Sequence, residues 1–580
     1  MALLYTNDKT TQILVSLLKA HHIRKVVVSP GTTNMCFVAS IQHDSWFELY
    51  SSIDERSAAY IACGLSHESS EPVVITCTEA TASRNYLPGL TEAYYRKLPI
   101  LAITGFHNLD NVGHLNSQVI DRSQTPFDTV RISVTARTCR DSKDEWAVNV
   151  NINKAILALT HNGGGPAHIN LQFPGNVGFN VKDLPNVRVI RRITLDDTFP
   201  TLPSGRTAIF VGSHKKWTSE LTKAVDRFCE VNNAVVFCDS TSGYMGKYRV
   251  KFSLVATQKY FHSKNFSPDL LIHIGEVSGD TYTQSKLKTA RMTWRVNEDG
   301  EVRDCFHNLE YVFQMSEMRF FTHYGKESDK SQSVNSYFSE CHAQMEYVRS
   351  KVPEFAFSNL WIAQQLSQIL PTNSAVQLGI FNSLRSLNMN DLPENVQSDC
   401  NVGGFGIDGT ISTAMGRALV HPDKTYYCIC GDLAFFYDMN VLGNRNFPNN
   451  LRIMVINNGR GTEFRNYGHP AYELGDIADP FIAAAGHFSN RSIIRSFVEG
   501  LGFEYLSATN KESFKQIIGR FVDEEKSTAP IVFEVFTETK DETTSIKLLR
   551  NAAVDKSMKD TIKGIIGKDT VDSLKKLIKR

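Results

Sequence analysis

The sequence has 580 residues, of which 42% are hydrophobic and 21% charged, and its formal net charge at pH 7 is +1. A chain of this length exceeds what one hydrophobic core supports, so we expect about two to four domains. The balanced charge gives no electrostatic reason to expect a nucleic acid partner, and no apolar run reaches the roughly 20 residues that span a bilayer.

Eleven cysteines stand mostly in apolar runs, which is typical of buried, reduced thiols. The N-terminus lacks the basic start, apolar run and cleavage site of a signal peptide. We therefore expect a cytoplasmic protein without a membrane span.

The first third of the chain alternates helical patterns with short apolar segments. The segments typical of buried strands are "KVVVSPG", "PVVITCTEA", "LPILAITG" and "GPAHINLQFP". Apolar strands separated by helices predict a parallel sheet covered on both faces, in a domain of residues 1–182. Because ligands bind beyond the carboxyl ends of such strands, the turns after the first three segments are candidate site loops.

Two further α/β domains are predicted after a polar linker. A central domain of residues 190–340 contains the strands "TAIFVGS", "NAVVFCDS" and "DLLIHIGE". A third domain, residues 355–545, contains "AVQLGIF", "KTYYCICGD", "RIMVINNG" and "APIVFEVF". The fold class is thus α/β, with three doubly wound parallel-sheet domains.

A Lys-rich tail of short amphipathic helices is predicted for residues 546–580. Its simplest interpretation is a helix docked on an oligomer or a frayed end, and contact with a partner or a lid role is the alternative.

Two strand ends in the third domain carry residues suited to a metal and a diphosphate. Asp432 follows Gly431 after one buried strand, and Asn458 ends the next strand before a turn through Arg460. An Asp carboxylate, an Asn carbonyl and a backbone carbonyl are hard oxygen ligands of the kind that Mg²⁺ shares with substrate phosphates. Glycines and helix N-termini at such turns let the backbone approach phosphate oxygens.

This segment resembles the thiamine-diphosphate-binding motif, which begins Gly-Asp-Gly and ends in Asn-Asn, although Leu433 stands where the motif usually has Gly. The resemblance is strongest to the menaquinone-pathway succinyl-enolpyruvyl-hydroxycyclohexene-carboxylate synthases, whose "GDLxFxxDxN" and "GIDG" segments are matched here. It implies Mg²⁺ bound by Asp432, Asn458 and the Arg460 carbonyl. It also implies a diphosphate near Gly406, Ile407, Asp408, Gly431, Leu433, Ala434, Gly461 and Thr462.

Glu55 stands in the context "DERSAAYIACGLS", which resembles that of the family's catalytic glutamate. The resemblance implies that Glu55 contacts the aminopyrimidine ring and promotes proton removal from the thiazolium. Four further segments resemble those of the family: "SPGTTN", "CTEATASRNYLPGLTEA", "NSQVIDR" and "GIFNSLRSLN". The resemblance implies that the cofactor is also bound by Pro30, Gly31, Thr78, Asn85, Asn382 and Ser383. It also implies a catalytic role for Gln118. In such enzymes the site forms between subunits, so a homodimer or homotetramer is implied.

Several arginines expected to bind substrate carboxylates are absent. Thr32 and Thr33 replace the "SR" of "SPGSRS", and Arg385 lies two residues after Ser383 rather than four. The candidate substrate residues are Thr32, Thr33, Arg385, Glu463, Arg465 and His469, and His114 joins Gln118 as a candidate catalytic residue. We expect the same cofactor with different substrates, and not menaquinone synthesis itself.

The predicted activity is that of a carboligase, which decarboxylates a 2-oxo acid and transfers the acyl carbanion equivalent to a carbonyl or alkene acceptor. The alternatives are a simple decarboxylase or C–C hydrolase, and a non-catalytic scaffold that only binds the cofactor.

Overall fold

The computed structural model describes residues 4–122, 124–259, 261, 263–326, 335–487, 490–523 and 527–553. Several parallel sheets are flanked by helices in this part of the chain, which confirms the α/β class.

The strands of the described residues are, in chain order, β1 (Tyr5–Thr6), β2 (Lys25–Val28), β3 (Glu48–Ser51), β4 (Val73–Cys77), β5 (Ile100–Phe106), β6 (Ser133–Ala136), β7 (Ala167–Gln172), β8 (Phe179–Val181), β9 (Arg191–Ile193), β10 (Thr207–Val211), β11 (Ala234–Phe237), β12 (Arg249–Val250), β13 (Leu270–Ile274), β14 (Met292–Val296), β15 (Leu309–Phe313), β16 (Ala375–Leu378), β17 (Gln397–Cys400), β18 (Tyr426–Gly431), β19 (Leu451–Asn457), β20 (Glu504–Ala508) and β21 (Ile531–Phe536).

The α-helices are α1 (Lys9–Ala20), α2 (Met35–Ile41), α3 (Glu55–Ser69), α4 (Thr81–Asn85), α5 (Leu87–Arg96), α6 (Ser142–Ala158), α7 (Ser219–Val231), α8 (Ser253–Ala256), α9 (Thr281–Leu287), α10 (Glu317–Tyr324), α11 (Ser336–Lys351), α12 (Asn359–Ile369), α13 (Asn382–Asn388), α14 (Thr410–Val420), α15 (Asp432–Asp438), α16 (Ile493–Gly500), α17 (Lys511–Val522) and α18 (Thr539–Arg550).

The chain divides into two compact units, the first of residues 1–200 and 294–315 and the second of residues 201–293 and 316–580. The three-domain assignment made from the sequence stays a prediction.

The first unit contains a six-stranded parallel sheet in the order β3-β2-β4-β5-β7-β6. Successive residues of β2 enter different cores: Val26 packs with α1 and α6, and Val27 packs with α3 and α5. This alternation is the reason that the strand reads as a continuous apolar run, because both faces of the sheet are covered.

The second unit contains the parallel strands β12-β11-β10-β13 and a six-stranded parallel sheet in the order β17-β16-β18-β19-β21-β20. Ile453 and Val455 of β19 pack in one core with residues of α14 and β18. The carboxyl ends of β16, β17, β18 and β19 therefore lie side by side at one edge, where ligands of such sheets bind.

The segment expected to be a linker between the first two domains contains strands instead. Tyr5 pairs with Val181, so β8 is antiparallel to β1, and β9 pairs in parallel with β15. The sequence analysis did not predict β8 and β9, because these short strands lie in a polar segment.

Residues 546–550 of the predicted Lys-rich tail complete α18, and residues 554–580 lie outside the described residues. Within the described part of the chain, no helix is both long and apolar enough to cross a membrane.

Candidate active site

Three strand-end turns of the first unit pack against one another. A Cβ at Gly31, after β2, would lie 2.6 Å from the Cβ of Thr78, after β4. A Cβ at Gly105, near the end of β5, would lie 2.5 Å from the carbonyl of Thr33, whose Oγ1 is 2.6 Å from Thr78 Oγ1. Close approach thus requires both glycines. The predicted residues brought together here are Pro30, Gly31, Thr32, Thr33 and Thr78.

Glu55 is the first residue of α3 and is half-buried. The preceding Asp54 caps the helix by accepting hydrogen bonds from the backbone amides of Arg56 and Ser57. The side-chain amide of Asn85 donates to Glu55 Oε2 at 3.3 Å. Two predicted cofactor residues, 30 positions apart, therefore meet, and the Asn85 amide orients the Glu55 carboxyl group.

A buried acid beside this edge was not among the predicted site residues. Glu79 is 4% exposed, and its carboxylate accepts hydrogen bonds from both the backbone amide and Nδ1 of His107. Arg122, also buried, donates to Thr104 Oγ1 and the Gly105 carbonyl at 2.8 Å. The buried Glu79 carboxylate is thus engaged by His107, whose ring is partly exposed.

The loop after β5 carries the two predicted catalytic residues His114 and Gln118. Both are exposed, and Gln118 has a left-handed backbone with φ 67°. Among the described residues, no hydrogen bond ties either side chain to the strand-end turns. Their catalytic roles stay predictions.

Three helices of the second unit begin at the carboxyl edge of its six-stranded sheet without a side-chain cap. These are α13 after β16, α14 after the turn that follows β17, and α15 after β18. Uncapped helix N-termini present backbone N–H groups and positive partial charge, which suit a diphosphate. The predicted residues at these starts are Asn382, Ser383, Gly406, Ile407, Asp408, Gly431, Leu433 and Ala434.

The turn before α14 is fixed by one side chain. Asn401 donates to the carbonyl of Gly409 at 3.2 Å and to Thr413 Oγ1 at 3.1 Å. Gly409 has φ 72°, a left-handed conformation that disfavours side chains with a Cβ. The predicted "GIDG" turn therefore delivers the start of α14 in a defined geometry.

Asp432 and Asn458 follow two adjacent strands, β18 and β19, and each offers a buried side-chain oxygen. Asp432 is 3% exposed, and burial raises the pKa of its carboxyl to about 7 despite hydrogen bonds from the Leu433 and Gly459 amides. Asn458 Oδ1 is buried and has no hydrogen-bond partner among the described residues. Because unpaired buried polar atoms are costly, this pair fits a divalent cation.

The turn after β19 also presents the carbonyl of Arg460. That carbonyl accepts a hydrogen bond from the Thr462 amide at 2.9 Å, and the Gly461 amide donates to the carbonyl of Ala483 at 2.6 Å. Arg460 itself donates to Asp479 at 2.5 Å. Gly461 and Thr462 therefore belong to the same turn as Arg460, and their role at the cofactor stays a prediction.

The turn after β19 is held by hydrogen bonds to Glu534, a residue outside the motif. Asn457 donates to Glu534 Oε1 at 2.6 Å and accepts from the Gly459 amide at 3.1 Å. Tyr505 donates to the other oxygen of Glu534 at 2.8 Å. Glu534 is completely buried, and burial raises its pKa. Its place in the apolar strand "IVFEVF" is the sequence signal that marks it.

The predicted substrate residues of the second unit are mostly paired. Arg385 contacts Glu463, and Asn466 donates to Glu463 and to Asn382 Oδ1. These contacts join the start of α13 to the segment after β19.

The other two predicted substrate residues lie further along that segment. Arg465 contacts both Asp479 and Asp476, which raises the pKa of its guanidinium. His469 accepts a hydrogen bond from the Ala471 amide at 3.0 Å.

Comparison with known proteins gives the class of this site. Residues 8–125 match the family "Thiamine pyrophosphate enzyme, N-terminal TPP binding domain". In this region the chain is similar to thiamine-diphosphate-dependent enzymes.

Curated relatives are similar to the chain over nearly its whole length. The chain is 28% identical to the 2-succinyl-5-enolpyruvyl-6-hydroxy-3-cyclohexene-1-carboxylate synthase of Phocaeicola vulgatus, over 94% of this chain and 98% of the relative. Synthases of the same name from Bacteroides fragilis and Flavobacterium johnsoniae are 29% and 24% identical, over 92% and 93% of this chain and 97% of each relative.

The expectation that the activity is not menaquinone synthesis is wrong, because relatives matched over nearly the whole chain carry the name of that synthase. The expectation gave a few changed arginines more weight than the rest of the sequence. At one such position stands Thr33, whose Oγ1 lies 2.6 Å from Thr78 Oγ1.

Proposed function

We propose that this chain makes 2-succinyl-5-enolpyruvyl-6-hydroxy-3-cyclohexene-1-carboxylate, using thiamine diphosphate and Mg²⁺. The observation that carries the proposal is similarity to synthases of that name over 92–94% of the chain. The positions of the predicted cofactor residues support it, because in each unit these residues lie at the carboxyl edge of a parallel sheet.

Mg²⁺ would be held by Asp432, Asn458 and the backbone carbonyl of Arg460. The buried carboxylate of Asp432 supports this assignment, as does Asn458 Oδ1, which has no hydrogen-bond partner among the described residues. These three oxygen ligands would leave the other positions of the Mg²⁺ octahedron for diphosphate oxygens and water.

Thiamine diphosphate, when bound, supplies the electron sink that allows a 2-oxo acid to lose carbon dioxide. Glu55 would hold a proton against the aminopyrimidine ring, and Asn85 would keep the Glu55 carboxyl group oriented. The uncapped starts of α13, α14 and α15 would bind the diphosphate.

The donor follows from the product's name. A succinyl group is the acyl part of 2-oxoglutarate after loss of carbon dioxide, so the donor is 2-oxoglutarate. The acceptor is the corresponding enolpyruvyl-hydroxy-cyclohexadiene carboxylate, whose ring alkene gains the new C–C bond. Donor plus acceptor thus equals product plus carbon dioxide, after one proton is returned to the ring.

Both substrates carry carboxylates, for which arginine is a suitable partner. Arg385 and Arg465 would contribute, although each is already paired with an acid in this structure. Thr32, Thr33, Glu463 and His469 would contact substrate as hydrogen-bonding groups, with His114 and Gln118 from the loop after β5.

The polypeptide would act as a homodimer or homotetramer. The resemblance supports this, since enzymes of the class form the site between the pyrimidine-binding part of one subunit and the diphosphate-binding part of another.

A product assay tests the reaction. Purified protein with thiamine diphosphate, Mg²⁺, 2-oxoglutarate and the cyclohexadiene acceptor should release carbon dioxide and form the succinyl adduct, identified by mass spectrometry. Pyruvate in place of 2-oxoglutarate should give little product, and Glu55→Gln should give none. Carbon dioxide released at the same rate without acceptor, and no adduct with it, would contradict the proposal.

A further inference from the structure

A second cleft in the second unit lies away from the residues of the candidate active site. It is formed at the carboxyl ends of β10 and β11, with the start of α7 on one side and β17 and the end of α14 on the other. Its volume is about 480 Å³, and it adjoins an open recess of about 620 Å³. Cavities of this size accommodate small metabolites.

Two cations of the cleft, Lys216 and Arg417, and one of the adjoining recess, Lys424, have no acidic partner among the described residues. Arg417 donates to the Val376 carbonyl and to Gln377, and Lys424 donates to Gln397. These acceptors are neutral, so the positive charges are not balanced by them.

The like charges act on one another. Burial lowers the pKa of Lys424, and the positive charges of Arg417 and Lys216 lower it further. Asp399 and Asp423 are the acids that line the cleft and its recess, while the lining residue His214 is engaged with Glu317. The positive charges of Arg417 and Lys216 thus repel that of Lys424, and a bound anion would reduce this repulsion.

The first turn of α7 adds backbone polarity to the same wall. Thr218 caps this 13-residue helix by accepting from the Leu221 amide, and Thr218, Ser219 and Thr222 line the cleft. A helix N-terminus beside several cations favours phosphate oxygens, for which lysine serves as a point charge.

We propose that this cleft binds a small metabolite bearing a phosphate group, held by Lys216, Arg417, Lys424 and the start of α7. The ligand's phosphate lies among the three cations, and the rest of the molecule occupies the cleft toward Trp217. Trp217 is fixed there, since its indole N–H donates to the Ser242 carbonyl at 2.8 Å.

Calorimetric titration of the enzyme saturated with thiamine diphosphate and Mg²⁺ tests this, with AMP as the phosphate probe. AMP should bind saturably, and adenosine, which lacks the phosphate, should not. The variant Lys216→Gln/Lys424→Gln should bind AMP at least tenfold more weakly. Lys288→Gln/Lys515→Gln, which removes two exposed charges elsewhere, should bind AMP as the unmodified protein does.

Hydrogen exchange on the unmodified protein provides a measurement that does not depend on folding of a variant. AMP should slow exchange of amides in residues 213–222, and succinate at the same concentration should not. The proposal is overturned by absence of saturable AMP binding, by equal binding of adenosine or succinate, by unchanged affinity in Lys216→Gln/Lys424→Gln, or by no protection of this segment.

Discussion

At the scale of single residues, Glu534 shows how a buried acid outside the motif can control the site. Its carboxylate accepts hydrogen bonds from Asn457 and Tyr505. Asn457 also accepts a hydrogen bond from the Gly459 amide, which fixes the turn that contains Asn458. We expect Glu534→Gln to weaken Mg²⁺-dependent binding of thiamine diphosphate about 10- to 100-fold, because an amide cannot accept from both donors. Titration of the cofactor at fixed Mg²⁺, followed by intrinsic fluorescence, measures the change.

The matched control is Glu538→Gln, which removes an exposed carboxylate near the same strand. It should leave cofactor affinity within about twofold of the original, as surface changes usually do. Equal affinities for Glu534→Gln and the unmodified protein would show that the turn does not depend on this network.

At the scale of elements, replacing either of two glycines at helix α14 by Ala should change the stability of the fold in opposite directions. Gly409, its N-cap, has φ 72°, whereas Gly416 is exposed within the helix, with open space where a Cβ would be. Gly409→Ala should destabilise the fold by about 1 kcal/mol and weaken cofactor binding, because Ala is strained in the left-handed region. Gly416→Ala should stabilise by about 0.5–1 kcal/mol.

Denaturant unfolding of the two variants measures both changes in stability. A change in the same direction for both variants would contradict the assigned helix start.

Strands such as β2, β4, β18 and β19 could be predicted from sequence because both of their faces are buried, so they appear as apolar runs. The turns after them could be predicted because parallel strands end at one edge.

The side-chain pairings could not be predicted in this way. Asn457 and Glu534 are 77 positions apart, and Glu79 and His107 are 28 apart. No local periodicity encodes which remote residues meet at the end of a strand. The short edge strands β8 and β9 were also missed, because their composition is that of a polar linker.

At the scale of the whole molecule, a buried histidine links stability to pH. Burial lowers the pKa of His168 from 6.5 to about 3, and the charge of Arg122 adds to the effect. Below about pH 6.5 the unfolded chain binds a proton that the folded protein does not, so stability falls as pH decreases. His168→Gln should make this fall shallower between pH 6.5 and 5.

Thermal unfolding midpoints across that range measure the slope, with His67→Gln as the exposed control. The slope of His67→Gln should equal that of the unmodified protein. If the midpoint of His168→Gln depends on pH as steeply as that of the unmodified protein, His168 is not a source of the acid sensitivity.

Assembly makes a second prediction at this scale. If each site combines Glu55 of one subunit with Asp432 of another, a mixture of inactive Glu55→Gln and Asp432→Ala proteins should regain roughly a quarter of full activity after subunit exchange. Each mixed dimer then contains one intact site. No recovery, with exchange verified by mass spectrometry, would place both residues of a site in the same chain.

The most direct test of the account is the exchange of the C2 proton of bound thiamine diphosphate with deuterium, followed by NMR. We predict that the protein binds the cofactor with Mg²⁺, that exchange is fast, and that Glu55→Gln retains binding while exchange slows at least about 100-fold. Equal exchange rates in the two proteins, or no cofactor binding by either, would contradict the central claim that Glu55 activates a cofactor held by Asp432 and Asn458.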